Sequence, residues 1–316
     1  MNHRVVIVGA GVSGLTCGVV FAERGYETTI FAKEIGQQTT SGAAAALWFP
    51  YDVEPADKVI PWALETRQAL IGLARDPDSG VSLIELRQFS RTGKIHIPDW
   101  AIPLGAETVI TSEVEGSLEQ FKGGFSVNVP LMDTTIYLDH LAARFLSAGG
   151  KINAKVSVEK LEDVDLKFDL VINCAGIGAR ELVHDADLQP HRGQVAVVPK
   201  LENLPYAVVC DDAPLMYAIP RARDCVFGGT NELSDDRVAD SATTARIVAE
   251  CSRALKIGKP NVLAECVGLR PYRKSGVRVE RARLSDGRAV IHNYGHGGSG
   301  FTLSWGCALE VLEISR

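Results

Sequence analysis

Val5-Val6-Ile7-Val8-Gly9-Ala10-Gly11-Val12-Ser13-Gly14 is the stretch that decides the fold. Its four leading apolar residues have no polar residues alternating with them, as expected of a parallel strand covered on both faces. Of the glycines, Gly9 permits a tight turn, Gly11 lets backbone approach a pyrophosphate, and Gly14 lets a helix close on the strand. From Ser13 through Leu15, Val19, Val20 and Ala22 to Gly25 the pattern reads as that helix. Its N-terminal amides and dipole face the glycine turn, so an anion belongs there. A second apolar run, Thr28-Thr29-Ile30-Phe31, leads to Lys33 and Glu34, and Glu34 stands twenty residues after Gly14. A carboxylate so placed accepts hydrogen bonds from a ribose, which predicts an adenine dinucleotide without a 2′-phosphate.

The whole chain bounds the alternatives. With 316 residues, 46% hydrophobic and 23% charged, it is long enough for one large or two moderate globular domains. No apolar run reaches the roughly 20 residues of a membrane helix. The net charge of −6 offers no basic footprint for nucleic acid. The first residues read as a strand and not as a cleavable signal, so a cytoplasmic location is expected. Seven cysteines, without a C-x-x-C pair, fall largely in apolar stretches (Cys17, Cys174, Cys251, Cys307) and read as buried thiols. The histidines do not pair at ligand spacing, so no metal is expected. Hydrolase and kinase readings lose support because neither a G-x-S-x-G elbow nor a P-loop lysine is present.

Further along, Thr39 to Ala46 is a run of small residues that suits either close passage of a ligand or a tight core crossing. Residues 55–74 read as a helix and 81–86 as a strand. A hairpin is expected to join Gln88–Arg91 to Ile95–Ile97 through Thr92-Gly93-Lys94, opening an antiparallel layer. A helix over 132–150, capped by Asp133 or Thr134, precedes strands at 151–161 and 168–176. The second strand ends in Cys174-Ala175-Gly176, small enough to let a cofactor touch the carboxyl edge of the sheet. Short strands at 195–198, 206–210, 216–220 and 225–228 continue the β layer, and 243–257 reads as a helix. Gly268 to Glu280 brings Arg270, Arg273 and Arg278 beside the cofactor region. After strand 289–293, Gly295-His296-Gly297-Gly298-Ser299-Gly300 feeds a helix from about Thr302. A second helix N-terminus suits a flavin, whose reduced ring gathers negative charge, so FAD is preferred over a nicotinamide cofactor.

These residues together resemble the D-amino-acid oxidase family of FAD enzymes, of microbial type, over nearly the whole chain. The resemblance rests on Val8–Gly14, Thr39–Tyr51, Ile172–Gly176, Arg192–Gln194, Tyr217–Pro220 with Gly228-Gly229-Thr230, Arg270–Arg278, and His292–Gly300 with Trp305-Gly306. It implies an α/β fold in which an FAD-binding Rossmann-like domain (1–50, 132–190 and 262–316) is interleaved with an antiparallel β-rich substrate domain (51–131 and 191–261). Carried over by residue, it implies that Arg278 binds the substrate carboxylate, Tyr217 assists it, and the Gly298 carbonyl accepts the substrate amine. Leu47, Phe49, Tyr51 and Asn231 would line the substrate pocket. The cofactor contacts would be Gly9, Gly11, Val12, Ser13, Gly14, Lys33, Glu34, Thr40, Ser41, Ala45, Ala46, Leu47, Val156, Cys174, Ala175, Gly176, Gly297, Gly298, Ser299, Gly300 and Thr302.

The implied reaction is hydride transfer from Cα to flavin N5 by positioning alone, with no His or Glu in the matching segments acting as base. It yields a 2-oxo acid and ammonia, and dioxygen reoxidises the flavin to give hydrogen peroxide. Expected partners are therefore a D-amino acid and dioxygen, with a homodimer left open. The segment between Cys210 and Tyr217 is shorter than the lid of mammalian members, which implies an open entrance. Asn231 stands where D-aspartate-specific relatives have arginine, so neutral D-amino acids are expected, provided neither Arg221 nor Arg223 reaches the pocket. A D-aspartate, glycine or sarcosine oxidase, an NAD-dependent dehydrogenase and a non-catalytic flavin protein are the competing readings.

Overall fold

The computed structural model describes residues 4–50, 53–93, 96–109 and 120–316. In chain order the elements are β1 (Arg4–Ala10), α1 (Val12–Ala22), β2 (Glu27–Ile35), α2 (Ala56–Leu73), β3 (Val81–Ser90), β4 (Glu107–Val109), β5 (Gly123–Met132), α3 (Thr134–Ser147), β6 (Lys151–Ala154) and β7 (Leu170–Asn173). There follow α4 (Ala179–Leu182), β8 (Leu188–Pro199), β9 (Ala207–Cys210), β10 (Met216–Pro220), β11 (Asp224–Gly228), β12 (Glu232–Leu233), α5 (Ser241–Leu255), β13 (Ala264–Arg273), β14 (Arg278–Arg283), β15 (Ala289–Tyr294) and α6 (Gly300–Ser315).

Two sheets carry the molecule. The first runs β14-β15-β7-β1-β2-β6 and is parallel except for the β14–β15 edge pair. Its centre is β1, and the unbroken apolar run Val5–Val8 within it has a direct cause. Val5 and Ile7 pack with α1, α3 and α6 residues such as Val19, Phe145 and Leu303, while Val6 and Val8 pack on the opposite face with Leu161, Phe168 and Val171. The second sheet runs β12-β8-β11-β10-β9-β3-β5-β4, with β13 also paired along β8. It is antiparallel apart from the β3–β9 pair. Among the described residues, no helix is long and apolar enough to cross a membrane.

Several local readings change. Of the hairpin expected after β3, Lys94 and Ile95 lie outside the described residues; β3 itself pairs with β5, and His96 and Ile97 lie outside any strand. Asp212 ends β3 instead, its Oδ2 accepting from Ser90 Oγ at 2.9 Å and from the backbone N–H of Arg91 at 2.6 Å. The strand expected over 151–161 stops at Ala154 because Lys155 turns into the left-handed region (φ 61). Conversely, β8 begins before the expected Val195, because β13 supplies a partner to every residue from Leu188 to Val197. Thus 264–273 belongs to the antiparallel sheet, although the sequence division put everything from 262 onward with the cofactor strands. The chain changes sheet in the four residues between β13 and β14.

Candidate active site

A single cleft of about 580 Å³ runs from the β1–α1 glycine turn, past the ends of β2 and β7, to the second sheet. The glycines shape its floor. Gly9 has φ 109, and a Cβ there would lie 2.3 Å from the Cys174 carbonyl oxygen. A Cβ on Gly14 would lie 2.0 Å from the Gly9 oxygen, so Gly14 holds α1 against β1 and does not itself line the cleft. The small-residue run passes close beside this turn: Ser41 Oγ accepts from the Val12 N–H at 2.9 Å, and Thr40 Oγ1 donates to the Leu269 carbonyl at 3.3 Å. Ser41 therefore serves the N-terminus of α1, whose Ncap, Gly11, has no side chain to do so.

Most of the expected cofactor contacts converge here. Gly9, Gly11, Val12, Ser13, Lys33, Glu34, Thr40, Ser41, Ala45, Ala46, Leu47, Val156, Cys174, Ala175, Gly176, Gly297, Gly298 and Gly300 all line the cleft. Ser299 and Thr302 do not. Ser299 is buried as the residue before α6, and Thr302 Oγ1 is spent on Phe49, accepting from its N–H and donating to its carbonyl, both at 3.0 Å. The fit to FAD rests on this cradle: backbone without side chains at the turn, small residues at Cys174–Gly176, a carboxylate at Glu34, and the starts of α1 and α6 on the same cleft. Arg237, not foreseen, lines it too and binds Glu34 at 2.7 Å.

At the other end lie Leu47, Phe49, Tyr217, Asn231 and Arg270. Tyr51 lies outside the described residues. Glycines again make the room: a Cβ on Gly193 would fall 2.3 Å from Arg270 Nη1, and one on Gly228 would fall 1.9 Å from Tyr217 Cζ. Arg270 Nη1 donates to the Thr230 carbonyl at 2.8 Å. Burial raises the pKa of the Tyr217 phenol above its ordinary value, and the neighbouring Arg270 guanidinium partly offsets that, so Tyr217 keeps its proton and can donate it in a hydrogen bond.

Arg278, expected to bind the substrate, is not in this cleft. It lies on edge strand β14, where Nη1 donates to Tyr294 Oη at 2.6 Å and Nε to Glu280 at 2.7 Å. Tyr294 Oη and Arg273 Nε in turn donate to Asp185, at 2.7 and 2.8 Å, so Arg273 is also engaged away from the cleft. Arg270 and Arg273 both lie on β13 of the second sheet, and of the three arginines Arg270 is the one that lines the cleft. The long-range β8–β13 pairing that brings it over Gly193 leaves no trace in local sequence. Arg221 and Arg223 do not line the cleft either, and Arg221 is buried in a pair with Asp224 at 2.6 Å.

His296, within the matching segment His292–Gly300, also lines the cleft. It is 3% exposed, and its Nε2 lies 3.0 Å from Asn293 Oδ1. Burial lowers its pKa to about 4, and burial with the nearby Arg278 charge does the same for His292. At neutral pH His296 is thus an uncharged donor to Asn293 and a poor proton acceptor. Both histidines have folded values below the ordinary 6.5, so the unfolded chain takes up protons first on acidification. Their contribution to stability is complete above about pH 6.5 and is lost as pH falls towards 4, about 3 kcal/mol for each at the limit. NMR of histidine-labelled protein should show both rings neutral at pH 5.5; a folded-state midpoint near 6.5 for both would contradict this.

The comparisons with known proteins agree with this architecture. The family of FAD-dependent oxidoreductases termed DAO matches residues 4–314. A D-amino-acid oxidase of Rubrobacter xylanophilus is 38% identical over 99% of this chain and 95% of its own length. The D-aspartate oxidase of Homo sapiens is 32% identical over 98% of this chain and 94% of its own. Among solved structures, glycine oxidase from Geobacillus kaustophilus superposes with a TM-score of 0.84 at 19% identity, over 99% of this chain and 94% of that one, which is a likeness of fold. With its glycine turn, acidic strand end and second helix start all on one cleft, the chain belongs to the DAO family of FAD-dependent oxidoreductases.

Proposed function

We propose that the protein is an oxidase of D-amino acids that disfavours acidic side chains, with Arg270 in the role the sequence reading gave to Arg278. The observation that carries this is the meeting of Arg270 and Tyr217 at the far end of the cleft that begins at the dinucleotide turn. The guanidinium fork suits a carboxylate, fixing its plane and hence the α-carbon, and the Tyr217 hydroxyl donates beside it. The Gly298 carbonyl is assigned to the substrate amine, which must be neutral for its α-hydrogen to leave as hydride. FAD, when bound, supplies the two-electron acceptor, and dioxygen takes the electrons on to hydrogen peroxide while the imine hydrolyses to a 2-oxo acid and ammonia. Leu47 and Phe49 exclude water and fit an apolar side chain. We assign the parallel sheet to the cofactor and the antiparallel sheet to the substrate, and we keep the cytoplasmic setting and the open question of a homodimer within the proposal.

Acidic substrates meet a different environment. Asn231, exposed and with its Oδ1 3.3 Å from His191 Nδ1, brings no charge to pair with a second carboxylate. Peroxide release across a panel of D- and L-amino acids tests the proposal. We expect D-alanine and D-valine to exceed D-aspartate and D-glutamate in kcat/KM by at least about tenfold, with L-isomers inert. Asn231→Arg should raise the D-aspartate to D-alanine ratio. Faster turnover of D-aspartate than of D-alanine by the unaltered protein would overturn the assignment and favour an oxidase of acidic substrates.

A further inference from the structure

We infer that Arg237 is a cofactor-binding residue, brought from the antiparallel-sheet side to hold the adenosine end of FAD in the cleft together with Glu34. This inference rests on the assignment of Glu34 to the ribose, and it is independent of which amino acid is oxidised. Arg237 lies between β12 and α5, yet its Nη1 donates at 2.7 Å to Oε1 of Glu34, near the end of β2 in the other sheet. The backbone around it is tied down. Buried Arg192 on β8 donates from Nε to the Asp236 carbonyl at 3.0 Å and from Nη2 to the Val238 carbonyl at 2.7 Å, so the carbonyls on both sides of Arg237 are held. Gln194, fully buried, extends the tether: its Nε2 donates to the Asp240 carbonyl at 2.7 Å and its Oε1 accepts from the Asp240 N–H at 3.0 Å. Arg192 and Gln194 do not line the cleft themselves; they fix the segment that carries Arg237 to it.

The pair leaves capacity on both partners. No described residue makes a hydrogen bond to Glu34 Oε2, and none accepts one from Nε or Nη2 of Arg237. The carboxylate thus keeps an oxygen for a ribose hydroxyl, and the guanidinium keeps donors for the phosphate bonded to that ribose, a charge-assisted contact that suits arginine. Charge balance in the cleft favours the same role. Glu34, Glu159 and Glu181 all line it and oppose a pyrophosphate, and among the described cleft residues Lys33 and Arg237 are the cations that offset them away from the Arg270 end. The magnitude is set by exposure: the Arg237 side chain is 51% exposed and that of Glu34 34%, so the gain is that of a partly solvated charge pair, a factor of about five in affinity.

The test dilutes the holoenzyme and measures the flavin that passes an ultrafiltration membrane, which gives the dissociation constant for FAD without any turnover. Arg237→Ala should raise that constant about fivefold at low salt, with the circular dichroism unchanged. Arg237→Lys should recover part of the loss, since an ammonium keeps the charge without the fork. High salt should shrink the difference between the unaltered protein and Arg237→Ala, because it screens the attraction that the variant already lacks. The effect of Arg237→Ala should also be smaller in a Glu34→Ala background, as expected of two residues that act as a unit. An unchanged constant in Arg237→Ala, or a rise of the same size at high salt or in the Glu34→Ala background, would overturn the inference. Should Glu34→Ala alone leave FAD binding intact, the assignment of Glu34 to the ribose falls, and the inference with it. Weakened binding in Glu34→Ala with none in Arg237→Ala would remove the inference and leave that assignment standing.

Discussion

Arg270→Ala is expected to lower kcat/KM for D-alanine by about two to three orders of magnitude, mainly through KM. Removing one side of a buried, hydrogen-bonded charge pair costs about 2–5 kcal/mol, because the remaining carboxylate is left desolvated without its partner. Arg270→Lys should recover only part of the loss, since an ammonium keeps the charge without the planar fork. Arg270 also holds the Thr230 carbonyl at 2.8 Å, so flavin absorbance should be measured alongside to show that the cleft is still formed. Arg278→Ala serves as the contrast. Its bonds go to Tyr294 and Glu280 on the edge of the parallel sheet, so KM for D-alanine should stay near normal while thermal stability falls. Steady-state kinetics on the two alanine variants decide between the arginines: a large KM increase in Arg278→Ala with none in Arg270→Ala would restore the sequence assignment.

Gly11→Val is expected to give a folded protein that purifies colourless. A Cβ at Gly11 already falls 3.1 Å from Ser41 Oγ, the atom that accepts from the Val12 N–H, and the two further methyls of valine must extend into the cleft. Backbone approach to a pyrophosphate is the reason a glycine is used at this point of the turn. The conformation of Gly11 itself is extended (φ −73, ψ −178), so valine can adopt it and the cost falls on the ligand. Gly9 differs in this respect: with φ 109 and only 2.3 Å to the Cys174 carbonyl, substitution there threatens the fold itself. Flavin absorbance and circular dichroism on purified Gly11→Val check the expectation. A yellow, active variant would mean that the cofactor does not approach this turn.

Much of the site was legible because its signals are local. The β1–α1 turn, Glu34, the small run from Thr39, Cys174–Gly176 and the glycines before α6 each depend on backbone conformation or on residue size within a few positions, and residue type reports both. The two helix starts were readable for the same reason, although α6 begins at Gly300, ahead of the expected Thr302. His296 stood in plain view within a quoted motif, yet its burial and its bond to Asn293 depend on packing against other segments.

By itself the sequence determined the dinucleotide turn, the parallel strands around β1 and the flavin preference, since these follow from hydrophobic periodicity and from where only glycine fits, while the family was legible only through the resemblance of its motifs. Tertiary structure alone decided which arginine enters the cleft, how β3 finds β5, and where the chain leaves one sheet for the other between Arg273 and Arg278. The physical reason is common to all of these. Strand pairing joins residues far apart in sequence through backbone groups that every residue type shares, so side-chain pattern shows that a strand exists but not which strand it meets or which side of the molecule its charges face.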